Sequence, residues 1–318
     1  MADGRINLYQ NLSVMLNAGM PITRALHTLH KKGKYGRIFS QIEQEVAQGN
    51  SLSDVIKLHP RHFPKLDQTL IRAGEETGQL AEMLAELGRW YEFRQRLRRL
   101  IAFGMVYPIL MIHALAFIAP VVPFALNGFN VGIYLRGMLT ILALFYIPAA
   151  VIATIRILAG KHGPLRLLLD TFVIQLPLVG KAVRELELSR YSKVFAVTYR
   201  AGIPIVRCAE MAAEAVSNNV MFRRLEPAAQ KARAGEEMSH GFSKQLPLEF
   251  IDLWAVGEES GQLDDSAWRL SVMHTDNAER RFTILSQWAP RLVYAVVAIV
   301  MIYYIFTGFQ QVYGNIQI

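Results

Sequence analysis

The chain has 318 residues, 34 Lys and Arg against 26 Asp and Glu, and a formal net charge of +8. Hydrophobic residues make up 52% of it and charged residues still 19%, which argues against both a disordered chain and an ordinary soluble domain and points to membrane spans alternating with soluble blocks. The single cysteine, Cys208, excludes an intramolecular disulfide, and soluble blocks without one fit a reducing compartment.

The first residues, Met1 to Arg5, hold no apolar core, so no cleavable signal peptide is expected. Leu8, Leu12, Met15 and Leu16 have helical spacing. Gly19 suits the left-handed position after a helix end, and Pro21 the first turn of the next helix. Ile38, Ile42 and Val46 form a second stripe closed by Gly49. Ser51-Leu-Ser-Asp54 has the form of a capping box with Asp in the glutamate place. Pro64 opens a helix expected to end at Gly74, and Leu80, Met83, Leu84, Leu87 and Tyr91 line a long helix that leads into an arginine cluster. Strand-like alternation is not evident.

Every acidic residue lies in Asp3–Glu92 or Asp170–Glu279. Residues 100–135, 137–155 and 292–318 carry no Asp, Glu, Lys or Arg. A span needs about 20 apolar residues, which places spans near 103–125, 137–158 and 291–309. Pro108, Pro120 and Pro123 interrupt the first, and Asn127-Gly-Phe-Asn130 makes a turn before the second. Arg94, Arg96, Arg98 and Arg99 precede the first span, Arg156 and Lys161 follow the second, and Arg280, Arg281 and Arg291 precede the third. By the excess of basic residues on the inner side, these are topology anchors. Both soluble blocks then face the cytoplasm, with the N-terminus inside and the C-terminal tail outside. The high pI reflects these anchors rather than nucleic-acid binding, because no aromatic-basic face is present.

The chain repeats itself at a constant offset. Ala18-Gly-Met-Pro-Ile22 falls on Ala201-Gly-Ile-Pro-Ile205, so Gly19 and Pro21 return as Gly202 and Pro204. Pro64 falls on Pro247. Gly74-Glu75-Glu76-Thr77-Gly78-Gln79-Leu80 returns as Gly257-Glu258-Glu259-Ser260-Gly261-Gln262-Leu263. Gly49 matches Gly235 only with a three-residue length difference between copies, the size expected of a surface loop. The expected fold is all-α: a polytopic membrane protein with three transmembrane helices and two homologous cytoplasmic bundles of about six helices each. The division is 1–99 for the first module, 100–158 for the first two spans and their short periplasmic loop, 159–290 for the second module, and 291–318 for the third span and tail.

Sites for chemistry are not evident. There is no phosphate-binding loop, His-Glu-x-x-His, Cys-x-x-Cys or Gly-x-Ser-x-Gly pattern. Cofactor, metal and catalytic residues are therefore expected to be absent, and the chain is expected not to be an enzyme. His27 and His30 read better as a solvated face than as metal ligands. Lys31-Lys-Gly-Lys34 reads as a solvated turn, with lipid contact as the alternative. His113 lies in the first span without an intramembrane acid, so a histidine hydrogen-bonded inside a helix pair is favoured over a proton relay. The glutamate pairs have two readings. One is a helix corner in which the glycines make the bend and the acids favour the start of the following helix. The other is a docking or cation site. A mainly structural role, with docking by one acid of each pair, covers both.

Two cytoplasmic modules, each followed by a span, with an extra span between them, resemble the type II secretion F / type IV pilus inner-membrane platform family (GspF/PilC-like proteins). The resemblance rests on Ala18–Pro21, Gly74–Leu80, Tyr107-Pro108, Ala201–Pro204 and Gly257–Leu263. It implies a non-catalytic scaffold in the bacterial inner membrane that contacts a hexameric cytoplasmic ATPase, pilin or pseudopilin subunits and other inner-membrane assembly proteins. It also implies a homo-oligomer, with a dimer as the default. Longer members carry a segment before the first module, so the resemblance is to a compact form, as in type IVb-like or conjugative thin pili. A transporter subunit and a membrane-bound enzyme are the competing readings. The first lacks mid-membrane charge and the second lacks a constellation.

Overall fold

The computed structural model describes residues 2–30, 36–60, 62–158 and 164–313. Among these the regular structure is helical throughout. The helices are α1 (Ala2–Asn17), α2 (Ile22–His30), α3 (Gly36–Ala47), α4 (Leu52–Lys57), α5 (Lys65–Thr77), α6 (Leu80–Ile118), α7 (Val121–Leu126) and α8 (Val131–Leu158). They continue with α9 (Pro164–Gln175), α10 (Val179–Arg200), α11 (Ile205–Ala215), α12 (Asn219–Leu225), α13 (Pro227–Arg233), a 3₁₀ turn (Met238–Gly241), α14 (Leu248–Glu259) and α15 (Leu263–Tyr313). Lys161 and the Lys31–Lys34 run lie outside the described residues, as do the side chains of His30 and Arg156.

The chain forms two compact units. One joins Met1–Leu97 to Asp170–Glu279, and the other joins Arg98–Leu169 to Arg280–Ile318. The two acid-bearing blocks thus share one unit, which the sequence had presented as separate modules.

In the first module, α1, α5 and α6 close over a buried polar knot. Asp67 accepts hydrogen bonds from the Tyr9 hydroxyl at 2.5 Å and the Tyr91 hydroxyl at 2.8 Å. Arg5 donates to the same Tyr91 oxygen at 2.6 Å. At the repeat offset Tyr9, Asp67 and Tyr91 become Ser192, Phe250 and His274. There the knot gives way to packed rings: Phe250 against Trp254 at 5.7 Å, Tyr191 at 6.4 Å and His274 at 5.7 Å. Equivalent positions therefore carry a tyrosine–aspartate cluster in one copy and packed rings in the other, where His274 also meets the buried Glu185 at 2.6 Å.

The modules touch through α5, which lies on α11 and α10. Arg72 of α5 reaches Glu214 of α11 at 3.6 Å. Glu86, 3% exposed, pairs with Arg89 and lies 3.5 Å from Lys193 of α10. The Arg190 guanidinium stacks 5.0 Å over Trp90 while its own carboxylate partner is Glu187 at 2.8 Å. A buried acid such as Glu86 is costly unless paired, so Lys193 is placed to hold the modules together.

Among the described residues, three helical stretches are long and apolar enough to cross a membrane, within residues 80–126, 131–155 and 263–307. Leu115, Ala116, Ile141 and Val297 form their shared core. Close approach is built in at Gly104, where a Cβ would come within 2.9 Å of the Ser286 carbonyl. Pro108 and Pro290 sit inside unbroken helices. The expected interruption at Pro108 is therefore not seen. The first helix ends only at Ile118 and resumes as α7 after Pro120, where the missing amide ends the hydrogen-bond ladder. The partners of His113 are neutral. Its Nδ1 faces the Ile109 carbonyl at 2.8 Å, and its Nε2 lies 3.4 Å from the Tyr146 hydroxyl of α8.

Candidate functional site

The repeated Gly-Glu-Glu-x-Gly-Gln-Leu corner joins the helix before it to the long helix after it. α5 runs through Gly74 and ends at Thr77, so the bend falls at Gly78 and not at Gly74 as the sequence suggested. Gly78 has φ 72° and Gly261 φ 69°, a left-handed conformation that costs L-residues with a Cβ about 1 kcal/mol. The carbonyls of Gln79 and Gln262 accept the first bonds of the following helices, from Met83 at 3.1 Å and Ser266 at 3.1 Å. Leu80 and Leu263 begin those helices, with Leu263 buried.

Gly74 has a different duty. It lies mid-helix, and a Cβ there would sit 2.7 Å from the Leu80 Cα. At Gly257 a Cβ would sit 2.6 Å from the Ser266 Cβ. The sequence pattern placed both glycines in a bend. The structure uses them so that the two helices of the corner can touch.

The two acids divide their work. Glu75 accepts backbone hydrogen bonds from Leu52 at 2.6 Å and Ser53 at 2.8 Å. Glu258 accepts from Met238 at 2.6 Å and Ser239 at 3.0 Å. Each therefore satisfies two orphan amides that open an earlier helical turn, not the start of the following helix. In the first copy Ser51 adds a third contact, its hydroxyl accepting from the Asp54 amide at 3.2 Å, while the Asp54 carboxylate pairs with Lys57 at 2.6 Å. Glu76 and Glu259 are exposed, and Glu76 stands 3.9 Å from Arg72.

The other repeated device is the stop-start at Gly19-Met-Pro21 and Gly202-Ile-Pro204. Gly19 has φ 79° and Gly202 φ 87°. Met20 N–H reaches the Met15 carbonyl at 3.0 Å, and Ile203 N–H reaches that of Thr198 at 3.2 Å, the paired closure of a Schellman motif. Pro21 and Pro204 stand one residue ahead of the next helix, and their carbonyls accept its first bonds, from Ala25 and Cys208 at 3.0 Å each.

Of the basic anchors, Arg94, Arg96, Arg98 and Arg99 follow one another along α6, and Arg280, Arg281 and Arg291 along α15. Arg94 lies 5.7 Å over the Tyr91 ring and Arg291 5.2 Å over Trp288. No group of three or more His, Cys, Asp or Glu able to hold a metal occurs among the described residues. His27 instead meets Glu43 at 2.8 Å.

Sequence reasoning missed the Tyr9–Asp67–Tyr91 knot and the Lys193–Glu86 contact. Both join residues far apart in the chain, and neither follows the repeat, so no local pattern marks them. It also missed Asp170, which accepts from the Asn219 amide at 2.9 Å and from its side chain at 2.8 Å.

A model of the type II secretion system protein F family matches this chain twice, over residues 8–126 and 191–309. The chain belongs to that family. The two matches begin at residues 8 and 191, the same offset that carries Ala18 onto Ala201, and each contains one corner. Family relatives include a Type II secretion system protein F of Pseudomonas aeruginosa, 27% identical over 92% of this chain and 78% of the relative. The Type IV pilus assembly protein PilC of Pseudomonas aeruginosa is 23% identical over 92% of this chain and 84% of its own length. Type II secretion system protein F of Vibrio cholerae is 25% identical over 92% and 78%. As a family member the chain is a multi-pass membrane protein with a role in secretion or pilus assembly. Its duplicated family domain is the source of both corners.

Proposed function

We propose that this chain is a non-enzymatic platform in the bacterial inner membrane, with both modules and the N-terminus in the cytoplasm and the C-terminal end in the periplasm. In this reading it couples a hexameric cytoplasmic assembly ATPase to the insertion or extraction of pilin or pseudopilin subunits, alongside other inner-membrane assembly proteins and as a homo-oligomer.

One observation carries the reading. The corner of each module opens a helix that continues without a break into the apolar unit: α6 over 39 residues and α15 over 51. Between α6 and α15 in the apolar unit lies a groove of about 660 Å³ lined by Leu115, Ile118, Val297, Met301, Tyr304 and Phe309 among others. Its lining suits an apolar helix such as the stem of a pilin subunit. The exposed acids Glu76 and Glu259 are the members of each pair left for docking the ATPase.

The test is site-specific photocrosslinking from positions 76 and 259 in cells that assemble filaments or secrete. Crosslinks to the ATPase are expected, and Glu259→Arg is expected to cut both the crosslink and filament output while membrane insertion is unchanged. Normal filament output from Glu76→Arg, Glu259→Arg chains without any ATPase crosslink would overturn the docking assignment. Substrate flux into vesicles holding this chain alone would favour the transporter reading instead.

A further inference from the structure

The two modules of this chain are related by the repeat, yet they do not meet symmetrically. The contact uses α5 of the first module and α11 of the second. The counterpart of α5 is α14, and the counterpart of α11 is α2. Among the described residues, no comparable contact joins α14 to α2. This is a head-to-tail contact between homologous bodies, and such a contact leaves one face of each kind open.

Burial at equivalent positions also differs between the two copies. On α5, Leu66, Thr69 and Ala73 share one stripe and are 8%, 3% and 0% exposed. Their counterparts on α14 are Glu249, Asp252 and Val256. Both acids are exposed, and Val256 is 55% exposed. The face turned to the protein interior does not change in this way: Asp67, Ile71 and Gly74 are buried, and so are Phe250, Trp254 and Gly257. On the receiving side, Met211 of α11 is fully buried, whereas its counterpart Thr28 on α2 is exposed, as is Arg24 one turn earlier.

Charge also distinguishes the open pair. The filled contact puts a cation on α5, Arg72, against an acid on α11, Glu214. The open faces carry opposite charge, Glu249 and Asp252 on α14 and Arg24 on α2, although α11 also holds a cation, Arg207, at the position equivalent to Arg24. Each pair is complementary within itself.

We propose that the exposed stripe of α14, Glu249–Asp252–Val256, docks on α2 of a second copy of this chain, repeating between copies the α5–α11 contact made within one. A second copy is the molecule that brings the matching face, because the faces left open are the two halves of one interface type. Each chain then adds two modules to a head-to-tail array, which closes into a ring or extends with the rotation per module. This deepens the homo-oligomer part of the platform reading and rests on it. The test below reads contact between copies and not filament output, so its failure leaves the ATPase and pilin assignments standing.

The experiment uses full-length chains in native membranes, one tagged copy carrying Val256→Cys and a differently tagged copy carrying Thr28→Cys. The native Cys208 is fully buried and stays silent. A short bismaleimide is expected to join the two tags only when both cysteines are present. Asp252→Arg in the first chain is expected to cut the product about tenfold, and Arg24→Asp in the second to restore it. All changed side chains are exposed, so equal membrane levels of the variants are expected. The proposal is overturned if no product joins the tags, if Asp252→Arg leaves the product unchanged, or if Val256→Cys reacts mainly with itself or with a different protein. It is also overturned if both cysteines placed in one chain yield only an internal crosslink.

Discussion

Glu75 and Glu258 occupy the same place in the two copies and hold equivalent pairs of amides: Leu52 and Ser53 for one, Met238 and Ser239 for the other. The intervening chain differs in length. Leu52 precedes Glu75 by 23 positions, whereas Met238 precedes Glu258 by only 20. The contact survives that length change. It is therefore the carboxylate-to-amide pairing that the repeat preserves, and the loop between is free to vary.

The first prediction separates the acids. Glu75→Ala removes a charged acceptor from two helix-opening amides and is expected to destabilise the unit that holds both modules by about 2 kcal/mol. Glu76→Ala, at an exposed and loosely paired position, is expected to change stability by less than about 0.5 kcal/mol. Thermal unfolding of the full chain in detergent, followed by tryptophan fluorescence, distinguishes the two. Equal effects would remove the division of labour.

The second prediction concerns close approach. Gly74→Ala forces a methyl onto the Leu80 backbone at 2.7 Å and is expected to cost about 2–3 kcal/mol. Gly78→Ala meets no neighbour and loses only its left-handed backbone freedom, about 1 kcal/mol. Urea midpoints of the two variants are expected in that order. A reversal would mean that the bend, and not helix contact, limits the corner.

A third prediction follows from the polar knot. Burial pushes the Asp67 carboxyl up to about 6, against the opposing pull of its Tyr9 and Tyr91 hydrogen bonds and of Arg5. An acid whose folded value is raised holds its proton in the folded state where the unfolded chain has lost it. Its contribution to stability therefore falls as pH rises from about 4 to above 6. Asp67→Asn is expected to flatten the pH dependence of the unfolding midpoint in that window. A profile unchanged by Asp67→Asn would mean that other groups set it.

A fourth prediction compares the inter-module contacts. Lys193→Ala leaves the buried Glu86 carboxylate with Arg89 alone and is expected to cost about 2 kcal/mol. Arg72→Ala breaks a half-exposed pair with Glu214 and is expected to cost less than about 1 kcal/mol. Unfolding midpoints check both. If Arg72→Ala is the more damaging, the modules are held mainly at α5–α11.

Much of this architecture is legible in the sequence because it is local or repeated. Charge-free stretches mark the spans, and the left-handed glycines Gly19 and Gly202 mark helix ends by their place after an apolar stripe. The duplicated heptapeptide marks the corners. What the pattern misreads is the job of each residue within it. Gly74 and Gly78 look alike in sequence, yet one permits helix contact and the other the bend, a difference set by Leu80 in three dimensions. Glu75 looks like a partner of the helix that follows it, and its amides lie 22 and 23 residues before it. The joining of both modules into one unit is invisible locally, since Glu86 meets Lys193 across two membrane spans of sequence. Module asymmetry is hidden for the same reason: Val256 and Ala73 occupy equivalent positions, and only packing shows that one is covered.

The central claim is that the first acid of each corner frames its own module. Amide hydrogen exchange of the full chain in detergent micelles tests it most directly. In Glu75→Ala, exchange is expected to quicken about tenfold or more at Leu52 and Ser53 and to stay unchanged at Met238 and Ser239, with Glu258→Ala giving the opposite pattern. Unchanged exchange at both pairs of amides in both variants would contradict the claim.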